Sequence, residues 1–478
     1  MKKIVIASGK GGTGKTTVAV NLAYYLSTHL RHRVRLLDCD VEVPNSNLFL
    51  RAGITRTIPV TVPRPVWEPA RCNSSRNCVS VCNYNAIAKV KDRVLIFDDL
   101  CHSCGACVYF CPENALRPGK AGIGKIELAE DHIPFSFGQG VLNIGESLAP
   151  RVIRKLKEHM DDGGAINLLD APPGTGCPVV KTMEGMDYCL LVTEPTPFGL
   201  NDLTLAAALA AKLGVPAGIV INRSHGRDRI IEDFGERHHI PIVGKIPFRK
   251  EYAESYSRGD ILLEHHPELV DIFSGIHREM NQMPRLPAIE IKWEDDIGGD
   301  DVFEPPAEAK DIPQRPCREI AVISGKGGTG KTTITAALTF LMENKVLADS
   351  DVDASNLHLL CNPERFHARD FIGGQIFAID QDACIACGEC ADQCRFGAIS
   401  LTDRDGDIRV EIDELSCEGC GFCYYLCPNE AIFNKEAISG KWCLSRTGDS
   451  FLSVTSFEIR GTSPHDQAWV PDGAHGRS

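Results

Sequence analysis

An α/β fold built on a doubly wound parallel sheet is predicted, with a small cysteine-rich α+β module set into it and the whole arrangement begun a second time. Three observations predict it. The segment SGKGGTGKTT occurs at residues 8–17 and again at 324–333. Near-continuous apolar runs at 165–170, 188–193, 217–222 and 241–246 are separated by helical stretches such as 201–214, the pattern of strands covered on both faces. Each half also carries a run of closely spaced cysteines that interrupts this alternation.

A chain of 478 residues exceeds one hydrophobic core, so roughly two to four domains are expected. The 43% hydrophobic and 24% charged content is that of an ordinary globular protein. A formal charge of −13 argues against a nucleic-acid partner, which needs clustered Lys and Arg. No apolar run is long enough for a membrane span, and residues 1–10 lead straight into a strand and loop, so no signal peptide is expected. The 21 cysteines then point to metal in a reducing compartment, the cytoplasm, rather than to secreted disulfides.

The repeat sets the domain plan. KKIVIASGKGGTGKTT (2–17) matches REIAVISGKGGTGKTT (318–333), each read as a short strand, a glycine turn and a helix. RLLDCDVEVPNSNLFL (35–50) matches VLADSDVDASNLHLL (346–360), an apolar strand ending in acids. The first domain is read as 1–280, interrupted by a module at 66–118. An acidic, Pro-rich linker at 281–317 follows. A partial second domain at 318–448 holds a second module at 378–434. Residues 449–478 lose periodicity and are expected to be disordered or frameshifted, so that the second copy is truncated.

Gly9, Gly14, Lys15 and Thr16 fit the phosphate-loop pattern G-x-x-x-x-G-K-[ST], as do Gly325, Gly330, Lys331 and Thr332. The glycines let successive backbone N–H groups face phosphate oxygens at a helix N-terminus. The expected nucleotide contacts are Gly9, Gly11, Gly12, Thr13, Gly14, Lys15, Thr16 and Thr17, with Gly325, Lys326, Gly327, Gly328, Thr329, Gly330, Lys331, Thr332 and Thr333 in the second copy. The Lys reaches the β- and γ-phosphates and the Thr16 hydroxyl holds Mg²⁺.

Lys10 and Lys326, each directly after the first Gly, carry a family resemblance. The chain resembles the MinD/ParA superfamily of deviant Walker A, SIMIBI-type ATPases, which includes the nitrogenase iron protein. The resemblance implies ATP, a nucleotide sandwich dimer and a Lys10 that contacts phosphates held by the partner half. It also implies catalytic roles for Lys10, Lys15, Asp38, Asp40 and Asp170. Asp38 and Asp40 match switch I acids for Mg²⁺ and the attacking water, with Asp349 and Asp351 as their second-half counterparts. Asp170, in LLDAPPGTG, matches the switch II acid, and Asn222 matches an adenine-recognising position. No second switch II is apparent after Trp442, so the second loop is expected to bind nucleotide without hydrolysing it alone.

Cys384, Cys387, Cys390 and Cys394 are spaced C-x₂-C-x₂-C-x₃-C, and Cys417, Cys420, Cys423 and Cys427 repeat the spacing before Pro428. This is the bacterial two-cluster ferredoxin pattern, in which each fourth Cys ligates the other [4Fe–4S] cluster. One cluster then takes Cys384, Cys387, Cys390 and Cys427; the other takes Cys417, Cys420, Cys423 and Cys394. Zinc is the alternative, and it rarely repeats such spacing. In the first module Cys101, Cys104, Cys107 and the crossing Cys82 complete one set. The other has Cys72, Cys78 and Cys111, with Ser75 at the fourth place. A [3Fe–4S] cluster, a labile cubane and an empty site remain open there. The layout as a whole resembles the ferredoxin-inserted MinD-superfamily ATPases. Cys177 stands at the offset of a cluster-ligating Cys in the nitrogenase iron protein. Cys39, Cys189, Cys317, Cys361 and Cys443 read as idle or buried thiols.

Three functions are weighed. An ATPase coupling nucleotide state to electron transfer through [4Fe–4S] clusters leads. An ATP-dependent iron–sulfur cluster or metal carrier, serving a client protein, is the alternative. A positioning ATPase comes last, for want of a membrane-binding helix or basic surface. A redox or client protein is the expected partner, with the two phosphate-loop halves pairing as a homodimer or within one chain.

Overall fold

The structure is a computed structural model. It describes residues 2–130, 134–282, 318–324, 330–342, 345–351, 355–361, 364–404, 407–447 and 450–457. The expected linker beyond Gln282, Gly325–Thr329 of the second loop, Cys317 and residues 458–478 lie outside the described residues. Two compact units form. The first takes Met1–Thr61, Gly122–Ala368 and Cys443–Ser456; the second joins Val62–Ala121 to Arg369–Trp442. The two cysteine modules therefore belong to one unit, a union that the sequence does not announce.

In chain order the first strands are β1 (Lys3–Ala7), β2 (Val34–Asp38), β3 (Arg56–Trp67), β4 (Ile87–Val90), β5 (Arg93–Ile96) and β6 (Leu116–Ala129). There follow β7 (Ser136–Leu142), β8 (Ile166–Asp170), β9 (Tyr188–Thr193), β10 (Ala217–Ser224) and β11 (Ile242–Pro247). The second half adds β12 (Val346–Asp349), β13 (Glu364–Ile379), β14 (Ile399–Arg404), β15 (Asp407–Ile412), β16 (Ile432–Thr447) and β17 (Ser450–Phe457).

The main sheet has nine strands in the order β11-β10-β9-β1-β8-β2-β7-β6-β3. From β11 to β7 the neighbours run parallel, and β6 returns antiparallel to β7. The apolar runs expected as strands are β8, β9, β10 and β11, and all of β9 is buried. The helix Lys15–Thr28 covers one face through Val18, Leu22 and Leu26, all without exposed surface, and packs beside the helix Leu269–Gln282. Burial on both faces of the sheet explains why its strands read as unbroken apolar runs instead of alternating ones.

A second sheet has the order β12-β17-β16-β13. This is the order β2-β7-β6-β3 at one end of the main sheet, strand for strand. β17 pairs parallel with β12, Val346 opposite Phe451 through Asp349 opposite Val454, as β7 pairs parallel with β2. The expectation that structure ends near Asp449 is thus corrected: Ser450–Phe457 is a strand, held by its ladder to β12. A second correction concerns residues 318–323, expected as a strand. They lie outside any strand. Their counterpart β1 is bonded on both sides, to β8 and β9. Among the described residues neither neighbour has a second copy, so β-branched residues there have no ladder to join.

In the cysteine-bearing unit, two hairpins, β4–β5 and β14–β15, carry short helices that bear cysteines: Asn77–Ser80, Ala106–Tyr109, Glu389–Gln393 and Phe422–Leu426. The 66–118 boundary read from sequence widens to Val62–Ala121 because β3 and β6 continue as strands.

Candidate nucleotide and cluster sites

The first phosphate loop joins β1 to the helix Lys15–Thr28. Gly14 takes φ 95°, and the side-chain amide of Asn222 occupies the space that a Cβ would need there. Asn222 Nδ2 donates to the Thr13 carbonyl at 2.8 Å, so this residue braces the loop from the end of β10. A cavity of about 460 Å³ opens beside the loop. Gly11, Gly12, Lys15, Thr16 and Asp40 line it from the first half, Ser324 and Lys331 from the second.

Two acids converge at this floor. β2 and β8 run parallel with Asp38 opposite Asp170, and both residues are buried. Asp38 accepts backbone N–H groups from Asp40 at 3.0 Å, Asn45 at 2.9 Å and Ser46 at 2.9 Å. Burial still raises its pKa against those donors. Burial, then the neighbouring Asp38 charge, push Asp170 up to about 8, while Lys15 and the Thr16 hydroxyl pull the other way. Ser46 Oγ donates to Asp170 Oδ2 at 3.4 Å. Thr16 Oγ1 donates to Asn45 Oδ1 at 3.0 Å. The Asp170 Oδ1 and Thr13 Oγ1 atoms are buried with no protein partner. Paired buried carboxylates with an unsatisfied oxygen suit a divalent cation and its anionic nucleotide.

The second half repeats this geometry locally. Gly330, at φ 93°, starts the helix Lys331–Leu341, which carries Thr332 and Thr333. Asp349 ends β12 and accepts N–H groups from Asp351 at 3.1 Å, Asn356 at 3.0 Å and Leu357 at 2.9 Å. Asp38 is thus reproduced by Asp349, Asp40 by Asp351 and Asn45 by Asn356. Lys10 of the first half reaches this loop. Its Nζ lies 3.3 Å from Asp351 Oδ2 and 2.8 Å from the side-chain amide of Asn356. Asn45, Ser46 and Asn356 were not singled out by sequence. Their signal is the spacing after each acid: Asn45 follows Asp38 as Asn356 follows Asp349.

The cysteines gather into sets around separate cavities. One is lined by Cys384, Cys387, Cys390 and Cys427. Another holds Cys394, Cys417, Cys420 and Cys423 among its walls. In the first module Cys82, Cys101, Cys104 and Cys107 share one cavity. Cys72, Cys78 and Cys111 share the last, with Ser75 beside them. Among the described residues no His, Cys, Asp and Glu group is poised to hold a single metal ion. Thiols spread around a cavity are the donor set of a polynuclear cluster rather than of one tetrahedral zinc. Backbone N–H groups already face sulfur at several of these cysteines; Ala115 N donates to Cys111 Sγ at 3.1 Å and Ala386 N to Cys384 Sγ at 3.4 Å.

In three loops the residue after the second cysteine is a left-handed glycine: Gly105, Gly388 and Gly421. In the fourth, Arg76 follows Ser75 and takes φ 65°. A non-glycine residue there costs about 1–2 kcal/mol. The loop thus takes the same turn with Ser75 and Arg76 where the others have Cys and Gly. Cys177, the first residue of the helix Cys177–Met183, is exposed; Cys39 and Cys189 are buried, and Cys361 and Cys443 partly so.

The fold and these sites define a nucleotide-binding α/β protein joined to an iron–sulfur module. Residues 4–263 match the CobQ/CobB/MinD/ParA nucleotide binding domain, and the chain belongs to that family. Residues 383–431 match the 4Fe-4S dicluster domain. The chain is 33% identical to an uncharacterized protein of Methanocaldococcus jannaschii over 275 residues, 56% of this chain and 93% of the relative. It is 23% identical over 312 residues to an iron-sulfur cluster carrier protein of Aquifex aeolicus, 59% of this chain and 67% of that one. The cell division ATPase MinD of Pyrococcus furiosus aligns with 59% of this chain and 100% of its own, at 21% identity and a TM-score of 0.37. No helix among the described residues is long and apolar enough to cross a membrane.

Proposed function

We propose that this protein is an ATPase in which Mg²⁺–ATP binding between two phosphate-loop halves of one chain controls electron transfer through its iron–sulfur clusters. The observation that carries the reading is the seat of Lys10 on Asp351 and Asn356. A lysine from one half lies at the acids of the other, as a composite nucleotide site requires. Lys15 and Thr16 would bind the first nucleotide, Thr16, Asp38 and Asp170 would hold Mg²⁺, and Asp40 would orient the attacking water. Asn222 fixes the loop, and Lys10 places a cation at the phosphates held by the second half.

The clusters supply one-electron chemistry. The sets Cys384/Cys387/Cys390/Cys427, Cys394/Cys417/Cys420/Cys423 and Cys82/Cys101/Cys104/Cys107 each hold a [4Fe–4S] cluster, and Cys72/Cys78/Cys111 hold a three-iron or labile one. A path of hydrogen-bonded strands leads from the acids toward these cysteines. β2 ends on Asp38 and is bonded to β7, β7 is bonded to β6, and β6 begins at Leu116, shortly after Cys111. A shift of the Asp38 loop on nucleotide binding is thereby transmitted along paired strands.

The test is an anaerobic electron paramagnetic resonance spectrum of the dithionite-reduced protein with and without MgATP. A nucleotide-dependent change in cluster signals is expected. Unchanged signals, with ATP binding demonstrated, would remove the coupling. The Ser75 site and the name of the Aquifex relative favour a second reading, an iron–sulfur cluster carrier. Ser75→Cys separates the two. It is expected to raise iron by about one atom per chain and to abolish an oxidised three-iron signal. If Ser75→Cys instead abolishes transfer of iron to an apo-ferredoxin, the carrier reading stands.

A further inference from the structure

The two ferredoxin modules meet inside one compact unit, and they meet at cluster ligands. Cys104 of the first module and Cys420 of the second line one cavity. Cys104 lines the cavity of the Cys417 set as well as its own. Arg395, directly after Cys394, lines both cavities too, and its Nη1 donates to the Ser103 carbonyl at 3.2 Å. Its guanidinium stands where a Cβ on Gly105 would fall, with Cζ 2.6 Å from that position.

Contacts on both sides hold this meeting in register. Tyr84 Oη donates to the Glu418 carbonyl at 2.6 Å, and Asn83 Nδ2 to the Gly419 carbonyl at 3.2 Å. Tyr425 Oη donates to the Ser80 carbonyl at 3.1 Å. Phe422 is buried, with Tyr109 at 5.3 Å and Phe110 at 5.8 Å in edge-on packing. Each of these partners lies within two residues of a cysteine of its own module. The contact is therefore built from the cluster loops themselves rather than from remote surface.

We infer that Cys104 and Cys420 form an electron junction, so that the two modules act as one relay of cluster sites. The order runs from the Cys72 set through the Cys101 set, across Cys104 and Cys420 to the Cys417 set, and on to the Cys384 set. Within each module the crossing cysteines join neighbouring sites: Cys82 and Cys111 in one, Cys394 and Cys427 in the other. At the junction one electron leaves the reduced set and enters the oxidised set. No bond is made or broken and no proton moves. An external one-electron reductant supplies the electron, dithionite in the test. The three-cysteine site with Ser75 is one end of the relay, and the Cys384 set, whose Cys387 is exposed, is the other. This inference rests on the proposal that the cysteine sets hold clusters.

The experiment is electron paramagnetic resonance of the reduced full-length protein, with iron and sulfide counted on each sample. Clusters joined through Cys104 and Cys420 interact magnetically, so the signal of the Cys417 set is expected to be broadened and fast-relaxing. The double variant Cys101→Ser/Cys107→Ser should narrow that signal, with a loss of about four iron atoms. Cys72→Ser, at the far site, should leave it unchanged. An unaltered Cys417 signal in the double variant, with the iron loss confirmed, would overturn the junction. Should that variant shed iron from both modules, Tyr84→Ala/Phe422→Ala keeps every ligand and loosens the contact. Broadening undiminished from the wild type there would equally overturn it. Wild-type protein without iron would instead defeat the cluster assignment on which the inference rests.

Discussion

Lys15→Ala is expected to lower ATP affinity at the first site by at least about 100-fold, since about 3 kcal/mol of charge-assisted hydrogen bonding is lost. Lys15 is buried at 7% exposure, the first residue of its helix, on the wall of the cavity. Its charge serves two purposes. It faces phosphate oxygens beside the loop N–H groups, and it offsets the buried Asp38 and Asp170 carboxylates, whose ionisation burial opposes. Removing it leaves those acids with less compensation, so the variant's affinity for Mg²⁺ alone should rise relative to its affinity for ATP. A titration with a fluorescent ATP analogue, with and without Mg²⁺, measures both. Lys331→Ala provides the contrast. Lys331 reaches the same cavity from the second half, and its loss should weaken binding at the first site less than tenfold. Equal losses in the two variants would show that the halves contribute symmetrically to one nucleotide. No loss in Lys15→Ala would remove the first loop as the binding site.

The phosphate loops were legible because their chemistry is contiguous. A helix N-terminus, glycines and a lysine must follow one another for backbone N–H groups to point one way. Cysteine spacing was legible for a similar reason: a one-turn helix and a crossing strand fix which thiols can surround one cavity. What stayed hidden depends on residues that touch across the fold. Phe422 reads in sequence as one more aromatic, yet it packs with Tyr109 and Phe110 of the other module. Lys10 was recognised through resemblance, but its seat on Asp351 and Asn356 is a long-range contact without a local signal.

The two strand corrections share a cause. Residues 318–323 have strand composition and form no strand, while Ser450–Phe457, rich in Ser, Thr and Phe, forms one. β-propensity reports a fit to a pleated neighbour more than a property of the segment. β12 gives Ser450–Phe457 a partner; among the described residues the counterpart of β1 has neither of the neighbours that β1 uses. The second half accordingly keeps the end of the sheet that carries its module.

The crossing of cysteines yields the second large effect. Cys394→Ser is expected to remove about four iron atoms from the Cys417 set and to spare the Cys384 set. Linear proximity argues the reverse, because Cys394 directly continues the run from Cys384 to Cys390 and is far along the chain from Cys417. The geometry favours the crossing. Cys394 lines the cavity with Cys417, Cys420 and Cys423, whereas Cys427 lines the one with Cys384, Cys387 and Cys390. A serine oxygen is a poorer ligand for cluster iron than a thiolate, so the affected site should empty. Iron analysis together with the reduced electron paramagnetic resonance spectrum identifies which site is lost. Cys427→Ser should give the reciprocal pattern. The pair also tests the relay, since Cys394→Ser removes the site that faces Cys104 and Cys427→Ser does not. If each variant instead lost the cluster of its own sequence run, the crossed arrangement would be wrong, and with it the order of sites from the Ser75 end to Cys387.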